Sequence, residues 1–225
     1  MEEKKNSSAK IILLLFPPII NKFDFYSGEK GRFFDLGKIR KKSWREKNIS
    51  SLAQETLLKL ADIDYSSEVK EFIQQKNSTK LVLVNYPHNE KQLDRLSEKL
   101  TPEKRKINNI ILLNIPNYEL IASLQNEYLI CPICEKIYKK EAVIKENGQF
   151  VCPSDSEFTL AAEEIKKFSE YSIDYYLKNS KGLIEKFLQK NKLSSSIITQ
   201  LTVQKKEEIF SGEVQKKLLG ILNNI

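Results

Sequence analysis

Glycine is scarce: seven in 225 residues, where average usage would supply about 15. A loop that cradles phosphate by curling its backbone needs small glycines, so this chain has little material for one. There is a single histidine, His88, and no Ser/His/Asp or Cys/His arrangement stands in a recognisable catalytic context. Cysteine is limited to three residues, two of them in C-x2-C spacing. An odd count argues against a secreted disulfide framework and for a reducing compartment, so a cytoplasmic protein is expected. Long apolar runs are also missing. The longest, IILLLFPPII at 11–20, is too short to span a bilayer and contains Pro17-Pro18. No small-x-small cleavage pattern follows it, so neither a signal peptide nor membrane insertion is expected.

What the chain does have is charge. Charged residues make up 30% and the formal net charge is +7, with 40% hydrophobic residues. A globular protein with a real core is expected, and collagen-like or low-complexity chains are excluded. The excess of lysine and arginine suits nucleic acid, acidic lipid or an acidic protein surface as partner. It also suits a lysine-, isoleucine- and asparagine-rich coding bias with no binding role. Its densest part, GKIRKKSWREK at 37–47, reads equally as a solvated helix face.

Four apolar runs have the look of strands buried on both faces of a parallel sheet: Lys10 onward, Lys80 to Pro87, Asn108 to Pro116, and Ser195 to Val203. Helical patterns fall between and after them, at Ser51 to Leu60, Ser66 to Gln75, Glu90 to Leu100, Asn117 to Gln125, Leu160 to Leu177, Lys181 to Gln189 and Gly212 to Leu222. The alternation predicts a three-layer α/β fold with a parallel sheet. Asp24 to Asn48 shows no clear period. Between Glu127 and Phe158 the alternation breaks, with short β-prone pieces and the hairpin turn pair Asn147-Gly148.

That stretch holds every cysteine. Cys131-Pro-Ile-Cys134 is separated by seventeen residues from Cys152-Pro-Ser-Asp155. Two such knuckles across a hairpin can place three thiolates and a carboxylate at the corners of a tetrahedron, which suits zinc better than iron. A closed four-ligand site is structural. It would also hold together a piece of chain too small to bury a core of its own.

The segments ICPICEKIY and VCPSD, in this order within an α/β chain, resemble the zinc-containing lid of bacterial adenylate kinases, including Tyr138 after the first knuckle and aspartate as fourth ligand. The resemblance covers most of the chain: first strand and phosphate loop, monophosphate segment, NYPHNEKQL, lid, long helix, last strand and last helix. It implies a P-loop kinase-like fold with a core at 1–126 and 159–225, a monophosphate-binding segment at 24–78, and a zinc-binding lid at 127–158.

The catalytic positions implied by the same resemblance are degenerate. Where the family has GxPGxGKGT, this chain has FPPIINKF: Pro18 removes an N–H, while Ile19, Ile20 and Phe23 obstruct the loop. Lys22 lies one position from the expected lysine. In VNYPHNEKQ, Val84 stands for the aspartate of the magnesium shell and His88 for the arginine that grips the monophosphate. Gln92 matches the glutamine that reads adenine, although by itself it reads as a helix-surface residue. Arg40 stands one residue short of the monophosphate-binding arginine. Tyr128 and Leu129 replace paired arginines, Ala161-Ala162-Glu163-Glu164 replaces R-x-D-D, and Ser172 replaces a further arginine. Phosphoryl transfer depends on positioning and charge, and one arginine can supply on the order of 10³ to 10⁵ in rate.

The expectation is therefore a catalytically inactive adenylate-kinase-like protein with structural zinc, doubtful ATP or AMP binding, and a role as a structural or adaptor subunit. An active nucleoside monophosphate kinase and a basic nucleic-acid or ribosome-associated module are the alternatives. Asp24 to Glu46, rich in aromatics and including Trp44 and Arg45, is the expected contact for a protein partner with an acidic face, and its aromatics read equally as local core filling the phosphate pocket.

Overall fold

The run at 10–15 is apolar at five successive positions, so it can settle only where both of its faces are covered. In the computed structural model it forms strand β1 (Lys10–Leu15), with Ile11 through Leu15 all buried. The structure describes residues 9–15, 32–35, 65–74, 78–84, 86–87, 90–102, 105–130, 137–146, 149–153, 159–160 and 182–225.

β1 is the middle strand of a five-stranded sheet. β2 (Arg32–Asp35), β3 (Lys80–Val84), β4 (Ile107–Asn114) and β10 (Ile198–Thr202) complete it in the order β10-β4-β1-β3-β2. Every pairing is parallel. Parallel neighbours need crossover connections, and here helices cover both faces. Ile11, Leu13, Leu15, Leu81 and Leu83 pack with helix α1 (Ser66–Ile73), helix α2 (Glu90–Leu100) and helix α4 (residues 182–190) through Val69, Phe72, Leu93, Leu96, Leu183 and Phe187. The alternate residues Ile12, Leu14, Val82 and Val84 pack with helix α3 (Tyr118–Glu127) and the last helix, α6 (Glu213–Asn224), through Leu120, Val214, Leu218 and Leu222. Each fully buried Leu or Ile contributes about 1.5–3 kcal/mol. The period-2 alternation of β1 and β3 thus divides the core into two layers.

One irregularity marks the start of β4. The β1–β4 register moves from Ile11↔Ile107 to Ile12↔Asn109, leaving Asn108 extra. Its side-chain carbonyl accepts the Ile11 N–H at 2.8 Å, which satisfies a donor that the bulge would otherwise strand. The bulge also explains why Ile107 and Ile110, three residues apart, reach the same side of the sheet.

Local signals account for the helix ends. Asn117 Oδ1 accepts from the backbone N–H groups of Glu119 and Leu120 at 2.9 and 3.2 Å, an N-cap for α3. α2 carries Glu90 in its first turn and Lys99 in its last. Before α6, Gly212 has φ 75, a left-handed conformation that glycine adopts without a Cβ penalty. Three cations meet helix C-termini: Lys10 donates to the Ile225 carbonyl, Lys80 to the Leu222 carbonyl, and Arg105 to the Ile73 carbonyl. Carbonyls at these ends have no intrahelical donor, and the helix dipole favours positive charge there.

The four strands expected from the sequence are present, but the last, β10, is preceded by a 3-10 turn (Ser195–Ile197) and is a half-buried edge strand rather than one buried on both faces, because it pairs with β4 alone among the described strands. β2 and the short helix α5 (Lys206–Phe210) were not expected. Of the helical patterns, Ser51 to Leu60 lies outside the described residues. So does Leu160 to Leu177 beyond Leu160, which is itself in a short strand rather than a helix. Among the described residues no helix is long and apolar enough to cross a membrane.

Candidate functional site

In open parallel sheets chemistry gathers outside the C-terminal ends of the strands, at the point where successive connections leave in opposite directions. Here β1 is followed in sequence by β2 on one side of it, and β4 by β10 on the other. The crevice between the ends of β1 and β4, bordered by β3, is therefore the place to look. The ends of β1 and β3 are apolar, whereas β4 ends in half-buried Asn114, followed by Ile115. Leu15 is 4% exposed, Val84 1% and Ile115 1%. Val84 pairs with Leu14 on one side and Asp35 on the other, and its side chain belongs to the layer formed by Ile12, Leu14, Val82 and Leu113.

Beyond β3 the chain passes through a cis Tyr86–Pro87 bond into α2. Tyr86 is buried, and Phe34 of β2 lies against both its ring and that of Phe72, with centroids 5.9 and 5.3 Å apart. The Tyr86 hydroxyl donates to the Gln92 carbonyl at 3.5 Å. Gln92 is 2% exposed, which corrects the reading of it as a helix-surface residue. The signal was available, since Gln92 stands four residues before Leu96 and eight before Leu100, in phase with the buried stripe of α2.

A second region is built from short strands. α3 ends at Glu127 and β5 (Tyr128–Ile130) starts at the next residue, pairing antiparallel with β6 (Ile137–Lys139). Ile130↔Ile137 is the last pair, so residues 131–136, with Cys131 and Cys134, connect two paired strand ends. A 3-10 turn (Lys140–Ala142) leads to β7 (Lys145–Glu146), β8 (Gln149–Val151) and β9 (Thr159–Leu160). β7 and β8 pair antiparallel through Glu146↔Gln149, and Asn147-Gly148 between them, the expected turn pair, lies outside the described residues. Cys152 follows β8 directly and is buried, its sulfur 3.7 Å from the Tyr138 hydroxyl of β6. The second knuckle therefore starts against the hairpin that carries the first. Of the four ligands that the spacing suggests for zinc, only Cys152 is described; Cys131, Cys134 and Asp155 lie outside the described residues, and among the described residues no cluster of three or more His, Cys, Asp or Glu side chains is found.

Lys206, just past β10, holds the junction between α3 and β5. It pairs with the Glu127 carboxylate and lies 5.3 Å from the centre of the Tyr128 ring. Hydrogen bonds from Lys206 and Ser123 hold the Glu127 carboxyl below its usual range, and the same bond to Glu127 raises the Lys206 ammonium.

Of the residues expected to carry function, Lys22, Arg40, His88, Cys131, Cys134 and Asp155 lie outside the described residues, as do Ile19, Ile20, Phe23, Trp44 and Arg45, the basic run 37–47, Ala161 to Glu164 and Ser172. Val84, Gln92, Tyr128, Leu129 and Cys152 are placed. Val84 and Gln92 flank the turn after β3, and the other three belong to the short-stranded region. No protein family matches the chain, and no curated protein matches it.

Proposed function

We propose that this chain is a catalytically inactive, adenylate-kinase-like protein that serves as a structural or adaptor subunit of a protein assembly, with structural zinc held by Cys131, Cys134, Cys152 and Asp155. The parallel five-stranded sheet with helices on both faces agrees with the fold that the resemblance implies. The observation that carries the loss of catalysis is Val84. It ends β3 beside the crevice, buried among aliphatic side chains, where the resemblance puts the magnesium-linked aspartate. A valine offers no oxygen to a magnesium shell, and Leu15 at the end of β1 adds no charge, while β2 on the other side of β3 ends in Asp35. Transition-state charge would have to be met by residues that the sequence has replaced.

Phosphate exchange between ATP and AMP, followed isotopically, tests this reading. No exchange above background is expected. Turnover in the range of ordinary kinases, about 1–100 s⁻¹, abolished by Lys22→Ala, would overturn it. The zinc part is tested separately. Protein prepared without chelator should contain about one zinc per chain by elemental analysis, reduced by Cys152→Ala. Three freely titratable thiols without metal would refute the site.

A further inference from the structure

The short-stranded region contains an open cleft of about 590 Å³, lined by Glu127, Lys139, Lys140, Glu141, Val143, Lys145 and Phe150. Its charges are unevenly matched. Glu127 is engaged by Lys206, and Glu141 lies 3.8 Å from Lys139. The Lys145 ammonium sits 4.9 Å from the centre of the Phe150 ring, which is not a carboxylate. The cleft thus keeps a positive surplus centred on Lys140 and Lys145.

Among the described residues β7 is an edge strand, paired with β8 alone. The Val151 N–H donates to the Ile144 carbonyl at 3.0 Å, so Ile144 and Val151 form a hydrogen-bonded pair. The next pair, Lys145↔Phe150, is then of the non-hydrogen-bonded kind, and the N–H and C=O of Lys145 point away from β8 toward the open edge. Side chains alternate along this strand. Val143 and Lys145 line the cleft, and Ile144, on the opposite face, is 68% exposed, the large hydrophobic that stands out among the described residues.

From this edge we infer that β7 accepts an extended segment of an acidic protein as an added strand, with carboxylates toward Lys140 and Lys145 and apolar side chains toward Ile144. Backbone bonds to an open edge supply affinity, and alternate side chains supply selection. A nucleic-acid strand fits less well, because it has no peptide N–H and C=O groups to pair with the outward ones of Lys145, and Ile144 would gain nothing. The inference rests on the adaptor reading, since it names the chemistry of the partner.

The probe is a labelled peptide of about ten residues alternating glutamate and valine, with lysine–valine and scrambled peptides and a short single-stranded DNA as comparisons. Saturable binding of the glutamate–valine peptide alone is expected, weakened about tenfold by the double change Lys140→Gln with Lys145→Gln and further by Ile144→Ser. Lys145→Pro should abolish it, because the ring removes the outward N–H at an edge position where proline leaves the β8 ladder intact. If that variant unfolds the region, as judged by zinc content, the glutamine pair decides. No saturable binding, equal binding of the lysine–valine or scrambled peptide, preference for DNA, or insensitivity to the glutamine pair would overturn the inference. The exchange assay on the same samples keeps the two proposals apart: turnover with intact peptide binding refutes inactivity and leaves the edge standing.

Discussion

The two ends of the central sheet differ in what they do with charge. At the N-terminal ends of the strands, Lys10 and Lys80, paired in register across β1 and β3, both reach the C-terminus of α6. At the C-terminal ends, the same two strands finish in Leu15 and Val84, both buried. An α/β enzyme that handles phosphate concentrates positive charge and metal-binding carboxylates at the second end. Here Lys10, Lys80 and Arg105 meet helix carbonyls at the first end, and Lys186 and Lys190 pair with the surface carboxylates Glu90 and Asp94. A net charge of +7 therefore says less about anionic ligands than its size suggests, because part of it completes the fold.

Putting a charge at the apolar end should have the largest effect. Val84→Asp buries a carboxylate among Ile12, Leu14, Val82 and Leu113 with no described cation beside it. A loss of about 3 kcal/mol or more is expected by urea denaturation, with no gain of exchange activity. A loss below about 1 kcal/mol, accompanied by magnesium-dependent stabilisation, would mean that this end still accommodates a carboxylate and its metal, and the contrast would fail.

Removing charge from the other end should cost less. Lys80→Met keeps the stem of the side chain against the sheet but leaves the Leu222 carbonyl of α6 without its donor. About 1 kcal/mol is expected, with faster hydrogen exchange confined to the last turn of α6. Lys10→Met, at a more exposed site, should act in the same place and by less. Unchanged exchange at residues 221–225 in both variants would show that these lysines are solvated charges rather than caps.

How much could be read in advance depended on length and phase. β1, β3 and β4 were legible because each is long enough for an uninterrupted apolar run, the mark of a strand buried on both faces. β2 was not. Its four residues, RFFD, are too few to show a period, and the register with Leu81 to Val84 comes from tertiary pairing alone. The buried Gln92 was missed because polarity outweighed its phase on α2. Cys152 lies beside Tyr138, and the other three residues of the metal motif fall outside the described residues; the tie between Lys206 and Glu127 joins residues 79 positions apart and leaves no local signal.

That tie gives the smallest effect and refines the comparison, since Lys206 is a cation near the end of β10 that meets a carboxylate of the protein itself. Glu127 is held below its ordinary 4.5, so its share of stability is present above that value and is lost as pH falls through the lowered one. Lys206 is raised above its ordinary 10.5, so its share is present below that value and is lost as pH rises through the raised one. Between those limits the pair contributes a constant amount, kept small by solvent and salt because Glu127 is exposed and Lys206 partly so. The difference in urea midpoint between the native chain and Lys206→Met should therefore be flat from about pH 6 to 8 and shrink toward pH 3. It should not vanish there, because Lys206 stays charged in acid and still faces the Tyr128 ring. Glu127→Gln separates the two contributions: it retains the ring contact, so its difference from Lys206→Met should show no acid limb. A difference between the native chain and Lys206→Met that stays constant down to pH 3 would show that the ring alone holds Lys206, and that the carboxylate at the α3–β5 junction contributes nothing.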